Sequence, residues 1–153
     1  MTVRAHAATA VRLPPRFLKS VSRIVKKVFR SEKKKGRGEI NVAFVNRKTI
    51  RKLNRQFLDN KGDTDVIAFP YVALSPIRPL ESTSVAYGDI YICAAVGAEN
   101  ARRYDEPVAR ELTRLVVHGT LHLLGYADSP KKARDKMWAR QEPIVDALWR
   151  KKS

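Results

Sequence analysis

Apolar positions repeat at helical spacing in some stretches of the chain and at strand spacing in others. Behind Pro14 and Pro15, Phe17, Leu18, Val21, Ile24, Val25 and Val28 make one stripe of a helix whose remaining face is basic, and Lys33-Lys34-Lys35-Gly36 ends it. Ile40, Val42 and Phe44 then alternate with Glu39, Asn41 and Ala43, the pattern of a half-buried strand. Asn46 is placed to cap a short helix carrying Ile50, Leu53 and Phe57 on one side. Lys61-Gly62-Asp63 reads as a turn, Val66-Ile67-Ala68-Phe69 before Pro70 as a second strand, and Tyr87 to Cys93 as a third. Between the last two, residues 72 to 86 hold Pro76, Pro79, Ser75, Ser82, Thr83 and Ser84 without a sustained period, which predicts a surface loop.

The C-terminal half reads as helical. Ala94 to Arg103 predicts one helix. A longer one is expected to open at Asp105 as N-cap, with Glu106 and Pro107 in its first turn, and to run to Leu124, where Gly125 stands at the position of a left-handed cap. A last helix from Ser129-Pro130 keeps Ala133, Met137, Gln141, Ile144, Val145 and Leu148 on one side. No repeat and no linker divides the chain, so residues 1–153 are read as one domain.

Charge changes this picture more than composition does. Lys and Arg number 31 against 15 Asp and Glu, a net charge of +16, and the first acid is Glu32. Such an excess favours a polyanionic partner, although a generally basic proteome would also produce it. The acid-free N-terminus also has the composition of a transit peptide, but the apolar stripe within it favours a helix docked on a core; whether residues 1–13 are a targeting segment stays open. No apolar run is long enough to span a bilayer. With Cys93 as the only cysteine, no internal disulfide forms, and a reducing, cytoplasmic setting is the expectation.

Candidate chemistry concentrates in His118-Gly119-Thr120-Leu121-His122-Leu123-Leu124-Gly125-Tyr126-Ala127-Asp128. Residues four apart share a helix face, so His118 and His122 can present two imidazole nitrogens to one divalent ion. A chain reversal at Gly125 can return Asp128 over the same face as a third ligand, leaving a position open for water, as in catalytic zinc sites. The alternative is a pair of core histidines satisfied by nearby backbone. His6 is set aside as incidental. Glycine at 119 costs a helix about 1 kcal/mol relative to alanine, which implies close approach there by a strand or a substrate. It also excludes the His-Glu-x-x-His peptidase arrangement, whose general base would stand at that position.

The string His118-Gly119-x-Leu121-His122-Leu123-x-Gly125-Tyr126, followed by Met137, resembles the signature of the YbeY family of metal-dependent endoribonucleases. Leu53-Asn54, Thr64-Asp65-Val66-Ile67-x-Phe69-Pro70 and Gly88-Asp89-Ile90-x-Ile92 agree in order, so the likeness runs from about residue 40 to 142. The resemblance implies an α+β fold, a small mixed four-stranded sheet covered by helices with a central metal-binding helix. It also implies one Zn2+ near the C-terminal end, single-stranded RNA as substrate and a part in ribosomal RNA processing, with the ribosomal subunit or assembly proteins as further partners.

Three positions depart from that family. Ala127-Asp128 replaces the common Asp-His, exchanging a third imidazole for a carboxylate, which favours a harder ion such as Mn2+ more than the usual set does, though Zn2+ remains the expectation. Phe57-Leu58 stands where the family often has Tyr-Arg, leaving Arg51, Arg55 and Lys61 as candidate phosphate contacts or plain surface charges. Ala68 replaces a serine. Met137 and Trp138 are read as packing between helices, Thr64 and Asp65 as a turn into a strand, and Cys93 as a small buried side chain. Two functions follow: a zinc-dependent hydrolase that cleaves RNA phosphodiesters with a metal-activated water, or a non-catalytic RNA- and ribosome-binding assembly factor with a structural metal.

Overall fold

The computed structural model describes residues 1–35, 38–60, 62–71 and 87–150. The predicted surface loop over 72–86 and Lys61 lie outside the described residues. In chain order the elements are β1 (Thr2–Ala7), α1 (Phe17–Ser31), β2 (Glu39–Val45), α2 (Arg47–Leu58), β3 (Val66–Pro70), β4 (Gly88–Cys93), α3 (Ala94–Arg103), α4 (Val108–Leu123) and α5 (Lys131–Arg150). Four strands form a mixed sheet ordered β1-β2-β4-β3, in which β1, β2 and β4 run parallel and β3 is antiparallel to β4. The α+β expectation holds.

Strand β1 falls within the stretch whose role the sequence left open. Val3, Ala5 and Ala7 alternate with exposed Thr2, Arg4 and His6, but alanine is a weak strand former and leaves little periodic signal. Parallel pairing to β2, in the register Val3 to Ile40 and Ala5 to Val42, supplies what propensity does not. Strand β2 is covered on both faces rather than one. Ile40, Val42 and Phe44 enter the main core with α1, α4 and α5, while Ala43 and Val45 join Ile50, Ile67 and Cys93 beneath α2. A parallel strand inside a sheet with helices on both sides is buried through and through.

The start of α4 corrects a second expectation. Asp105 is not its N-cap: it adopts a left-handed φ of 52°, its N–H donates to Arg102 O and the Glu106 N–H donates to Ala101 O. That pair of bonds closes α3 in a Schellman turn, so Asp105 and Glu106 belong to the end of one helix, and Pro107 in extended conformation precedes the next. At Asn46 the expectation holds, its side chain accepting from Thr49 N at 2.9 Å.

Helix α4 is the central element, lying across β3 and β4 with α1, α3 and α5 packed against it. The glycine within it is explained by packing on the sheet. A Cβ at position 119 would stand 2.6 Å from Ile90 Cγ2 and 3.3 Å from Ile90 Cδ1, so the close approach is made by strand β4. Gly119→Ala gains about 1 kcal/mol of helix propensity and forfeits more by overpacking. We expect a net loss of about 1–2 kcal/mol in denaturant unfolding. In the Gly119→Ala background, Ile90→Ala should cost less than it does in the parent protein, a coupling readable in a double-mutant cycle.

Candidate metal centre

Both histidines project from the last two turns of α4, and the way that helix ends determines what surrounds them. Gly125, at φ 105°, donates its N–H to His122 O at 3.0 Å, and Tyr126 N–H reaches Leu121 O at 3.1 Å. This second Schellman turn requires the left-handed conformation that glycine adopts without steric cost. It reverses the chain so that the Tyr126 carbonyl faces His122 Nδ1 and the Asp128 carboxylate faces Nε2 of both rings. The Tyr126 hydroxyl donates to Glu32 Oε1 while Arg140 donates to Glu32 Oε2 at 2.6 and 2.9 Å, which ties the turn to the end of α1 and to α5. Burial alone would raise the Glu32 carboxyl, but these hydrogen bonds hold it below its ordinary value.

One ligand atom each from His118, His122 and Asp128 lies within 4.8 Å of the others. Asp128 Oδ2 is 2.8 Å from His122 Nε2, and Oδ1 is 3.2 Å from His118 Nε2. The other nitrogen of each ring is already engaged. His122 Nδ1 faces the Tyr126 carbonyl at 2.9 Å, an acceptor only, so that nitrogen carries the proton. His118 Nδ1 faces Gln141 Oε1 at 2.6 Å. The amide orientation of Gln141 is fixed from behind, because its Nε2 donates to Glu142 Oε2 at 3.0 Å.

Both Nδ1 positions therefore donate, and both Nε2 lone pairs converge on a carboxylate that also has only lone pairs to offer. Satisfying them with protons would set two imidazolium charges in rings whose centroids are 4.7 Å apart. One divalent cation satisfies all three donors at once, and backbone or amide acceptors behind each Nδ1–H are the usual support of metal-bound histidine. The donor set fits such an ion. The Asp128 side chain is 55% exposed against 20% and 24% for the two histidines, so the cluster opens toward solvent on its carboxylate side.

Arg114, one turn before His118, organises the neighbouring ground. Its guanidinium is bound by Glu106, by Glu111 at 2.6 Å and by Glu142 at 3.0 Å. Burial works against that charge, and the three carboxylates overcome it, so its pKa is raised. Glu111 is 3% exposed and burial pushes its carboxyl upward despite the bonds from Arg114 and Asn100. A cavity of about 410 Å³ opens here, lined among others by Asp65, Asn100, Tyr104, His118, Trp138 and Gln141. Met137 packs in the core as expected, but Trp138 is 53% exposed and faces this cavity instead of a helix interface. Asp65 does turn the chain into β3, its carbonyl accepting from Cys93 N at 2.9 Å, and its side chain also lines the cavity.

The other candidates stand apart from the cluster. Arg51 and Arg55 lie on the exposed side of α2, which covers the sheet face opposite α4, and Arg51 is paired with Asp63. Among the described residues no hydrogen bond or ion pair joins either to His118, His122 or Asp128, and His6 sits on the exposed side of β1. Arg114, Gln141, Glu142 and Tyr126 were not foreseen as supports of the site; only Tyr126 had a signal, as the residue after the capping glycine. Arg114→Leu leaves Glu111 buried without its cation, and we expect a loss of about 3–5 kcal/mol in equilibrium unfolding, with a smaller loss for Glu142→Gln.

Comparison with known proteins agrees with this architecture. The family model described as endoribonuclease YbeY matches residues 5–149. Endoribonuclease YbeY of Elusimicrobium minutum is 40% identical over 101 residues, covering 66% of this chain and 68% of that protein. The Chlorobium luteolum protein of the same name is 32% identical over 152 residues, 98% of this chain and 100% of the relative. The solution structure of TM1509 from Thermotoga maritima superposes with a TM-score of 0.64 at 29% identity, covering 97% of this chain and 90% of that one. A match along nearly the whole chain, with the helix-and-turn cluster inside it, shows that the chain belongs to the YbeY endoribonuclease family.

Proposed function

We propose that this protein is a metal-dependent endoribonuclease specific for single strands, acting in ribosomal RNA maturation in the cytoplasm, with one Zn2+ held by His118, His122 and Asp128. The observation that carries the metal assignment is the fixed direction of the two imidazoles, each with Nδ1–H bound from behind and Nε2 turned to a shared carboxylate. A divalent ion there would acidify a water molecule and offset charge on a phosphoryl oxygen. The chain's own residues supply the rest. Gln141 and the Tyr126 carbonyl hold the rings in one tautomer, and the Gly125 turn brings Asp128 into place.

Affinity for a polyanion is supported by the charge of +16 and by its distribution. Lys19, Arg23, Lys26, Lys27 and Arg30 line a groove of about 540 Å³ between α1 and α5, and no acid is among its lining residues. None of the five takes part in an ion pair among the described residues. Arg51 and Arg55, on the sheet face away from the cluster, and Lys61 are assigned to phosphates distant from the cleaved bond, on the strength of charge alone. Among the described residues no helix is long and apolar enough to cross a membrane.

Elemental analysis of the purified protein should find one divalent ion per chain, zinc, and chelation should abolish cleavage of single-stranded RNA. His122→Ala and Asp128→Ala should lose the ion and the activity, whereas Asp128→His should keep the ion, since the turn that delivers residue 128 is unchanged. Full metal content in Asp128→Ala would move the third ligand elsewhere. Retained metal with no cleavage by the parent protein would favour the assembly-factor reading.

RNA affinity should fall steeply with salt, with a log–log slope of about −0.7 for each phosphate neutralised on a single strand. Reversing Arg23, Lys26 and Lys27 to Glu should flatten that slope and weaken binding regardless of sequence. An affinity indifferent to salt would overturn the electrostatic account.

A further inference from the structure

The cavity beside His118 is built unlike the rest of this basic surface. Three of its lining residues are carboxylates, Asp65, Glu106 and Glu111, against a single guanidinium, that of Arg114. Glu106 and Glu111 are both bound to that guanidinium. Asp65 has no cationic partner among the described residues. The side chains lining the cavity sum to a negative charge, so away from the metal ligands it does not suit the backbone of the substrate.

Its other features suit a flat, uncharged group. Tyr104 and Trp138, two of the four exposed large apolar side chains among the described residues, both line it, at 64% and 53% exposure. Exposed rings beside a cleft are what single-stranded nucleic acid uses for stacking. At about 410 Å³ the space falls in the range of small-molecule pockets. His118, whose Nε2 belongs to the metal cluster, lines the same space, so a nucleotide adjacent to the cleaved bond can reach it.

Apart from the Tyr104 hydroxyl and the Trp138 indole N–H, which belong to the exposed rings, the polar atoms left free on Asp65 and Asn100 are acceptors. Asn100 Nδ2 donates to Asp65 Oδ2 at 3.3 Å and to Glu111 Oε2 at 3.2 Å, which uses both amide hydrogens and leaves its carbonyl oxygen. Asp65 contributes its remaining carboxylate oxygen. Gln141 bridges His118 and Glu142, its Oε1 facing the imidazole and its Nε2 donating to the carboxylate.

We propose that this cavity is a nucleobase pocket, in which Tyr104 and Trp138 stack on one base of the RNA and Asp65 with Asn100 accepts from its exocyclic amino group. The pocket prefers amino-bearing bases, and it distinguishes cytosine from uracil because uracil presents a carbonyl where cytosine presents N–H. This rests on the endoribonuclease reading for its position beside the cleaved bond, but base binding itself does not require cleavage.

The test therefore measures binding and cleavage separately. The purified protein, metal included, is titrated with labelled, nuclease-resistant oligocytidylate and oligouridylate of equal length, which share a backbone and carry single-ring bases. The parent protein should bind the cytidine oligomer about threefold or more tightly, the scale of one hydrogen bond, and Asp65→Asn should erase that difference. Trp138→Ala should weaken both oligomers about tenfold, the scale of one lost stack, while Trp138→Phe stays close to the parent. Both positions are partly exposed, and unchanged thermal unfolding and metal content confirm that the variants fold. Equal binding of the two oligomers by the parent, or unchanged affinity in Trp138→Ala, overturns the pocket. If the metal-loaded parent cleaves RNA while these variants bind as it does, the pocket fails and the endoribonuclease reading stands. If the parent discriminates the oligomers through Asp65 yet cleaves nothing, the pocket stands and the hydrolytic reading fails.

Discussion

Ile90 fills the space that a side chain at position 119 would need, and much of the candidate site follows from that contact. Helices usually stand off a sheet by the depth of two side-chain layers; here one layer is missing at a single point, and α4 settles onto β4 there. His118 flanks that glycine and His122 follows one turn later, so the close contact fixes the depth and rotation of both rings. Core packing has little freedom to move a helix clamped in this way, because interiors are packed at crystal-like density. The rings can then be held by single hydrogen bonds, one donated to a backbone carbonyl and one to Gln141 Oε1, without those bonds also having to position the helix.

The elements with a strong apolar stripe were legible in the sequence, and the failures have physical causes. Helices α1, α2, α3 and α5 follow their periodicity closely, and Asn46 caps where a capping residue should. Strand β1 was missed because its inward positions are mostly alanine and its stability comes from parallel pairing with a strand more than thirty residues away in sequence. Asp105 was assigned to the wrong helix because an acid before a proline looks the same whether it opens one helix or closes another. Only the destinations of the N–H groups of residues 105 and 106, both carbonyls of α3, separate the two cases.

The site divides along the same line. The i, i+4 spacing of His118 and His122 and the glycine at 125 are local, so sequence alone brings the three ligands onto one face. The residues that give the cluster its chemical direction are remote. Gln141 meets His118 from 23 positions away, Glu142 reaches Arg114 across 28, and Asn100 links Asp65 to Glu111 across 35 and 11. A glutamine on the inner side of α5 carries no periodic signature different from any other buried polar residue. Its meaning lies in which of its two amide atoms faces the ring, and Glu142 decides that.

Charge is arranged on two length scales that act in opposite senses. Most of the 31 cations are spread over the surface, where their summed field reaches about a Debye length and attracts a polyanion without regard to sequence. Acids are scarce in this chain, yet Asp65, Glu106, Glu111 and Glu142 are gathered beside α4 around one partly buried guanidinium. The side chains that line the cavity beside His118 therefore sum to a sign opposite to that of the whole molecule. Under the proposed base pocket, a strand drawn in by the outer field would meet, next to the cluster, a place that repels phosphate and offers rings and acceptors. Its backbone would then keep to the solvent side where Asp128 is exposed, with a base turned inward. On the proposed reading, repulsion of the backbone on one side of the metal ligands and attraction of a base to the same side would orient the strand alongside the more distant phosphate contacts proposed for Arg51, Arg55 and Lys61.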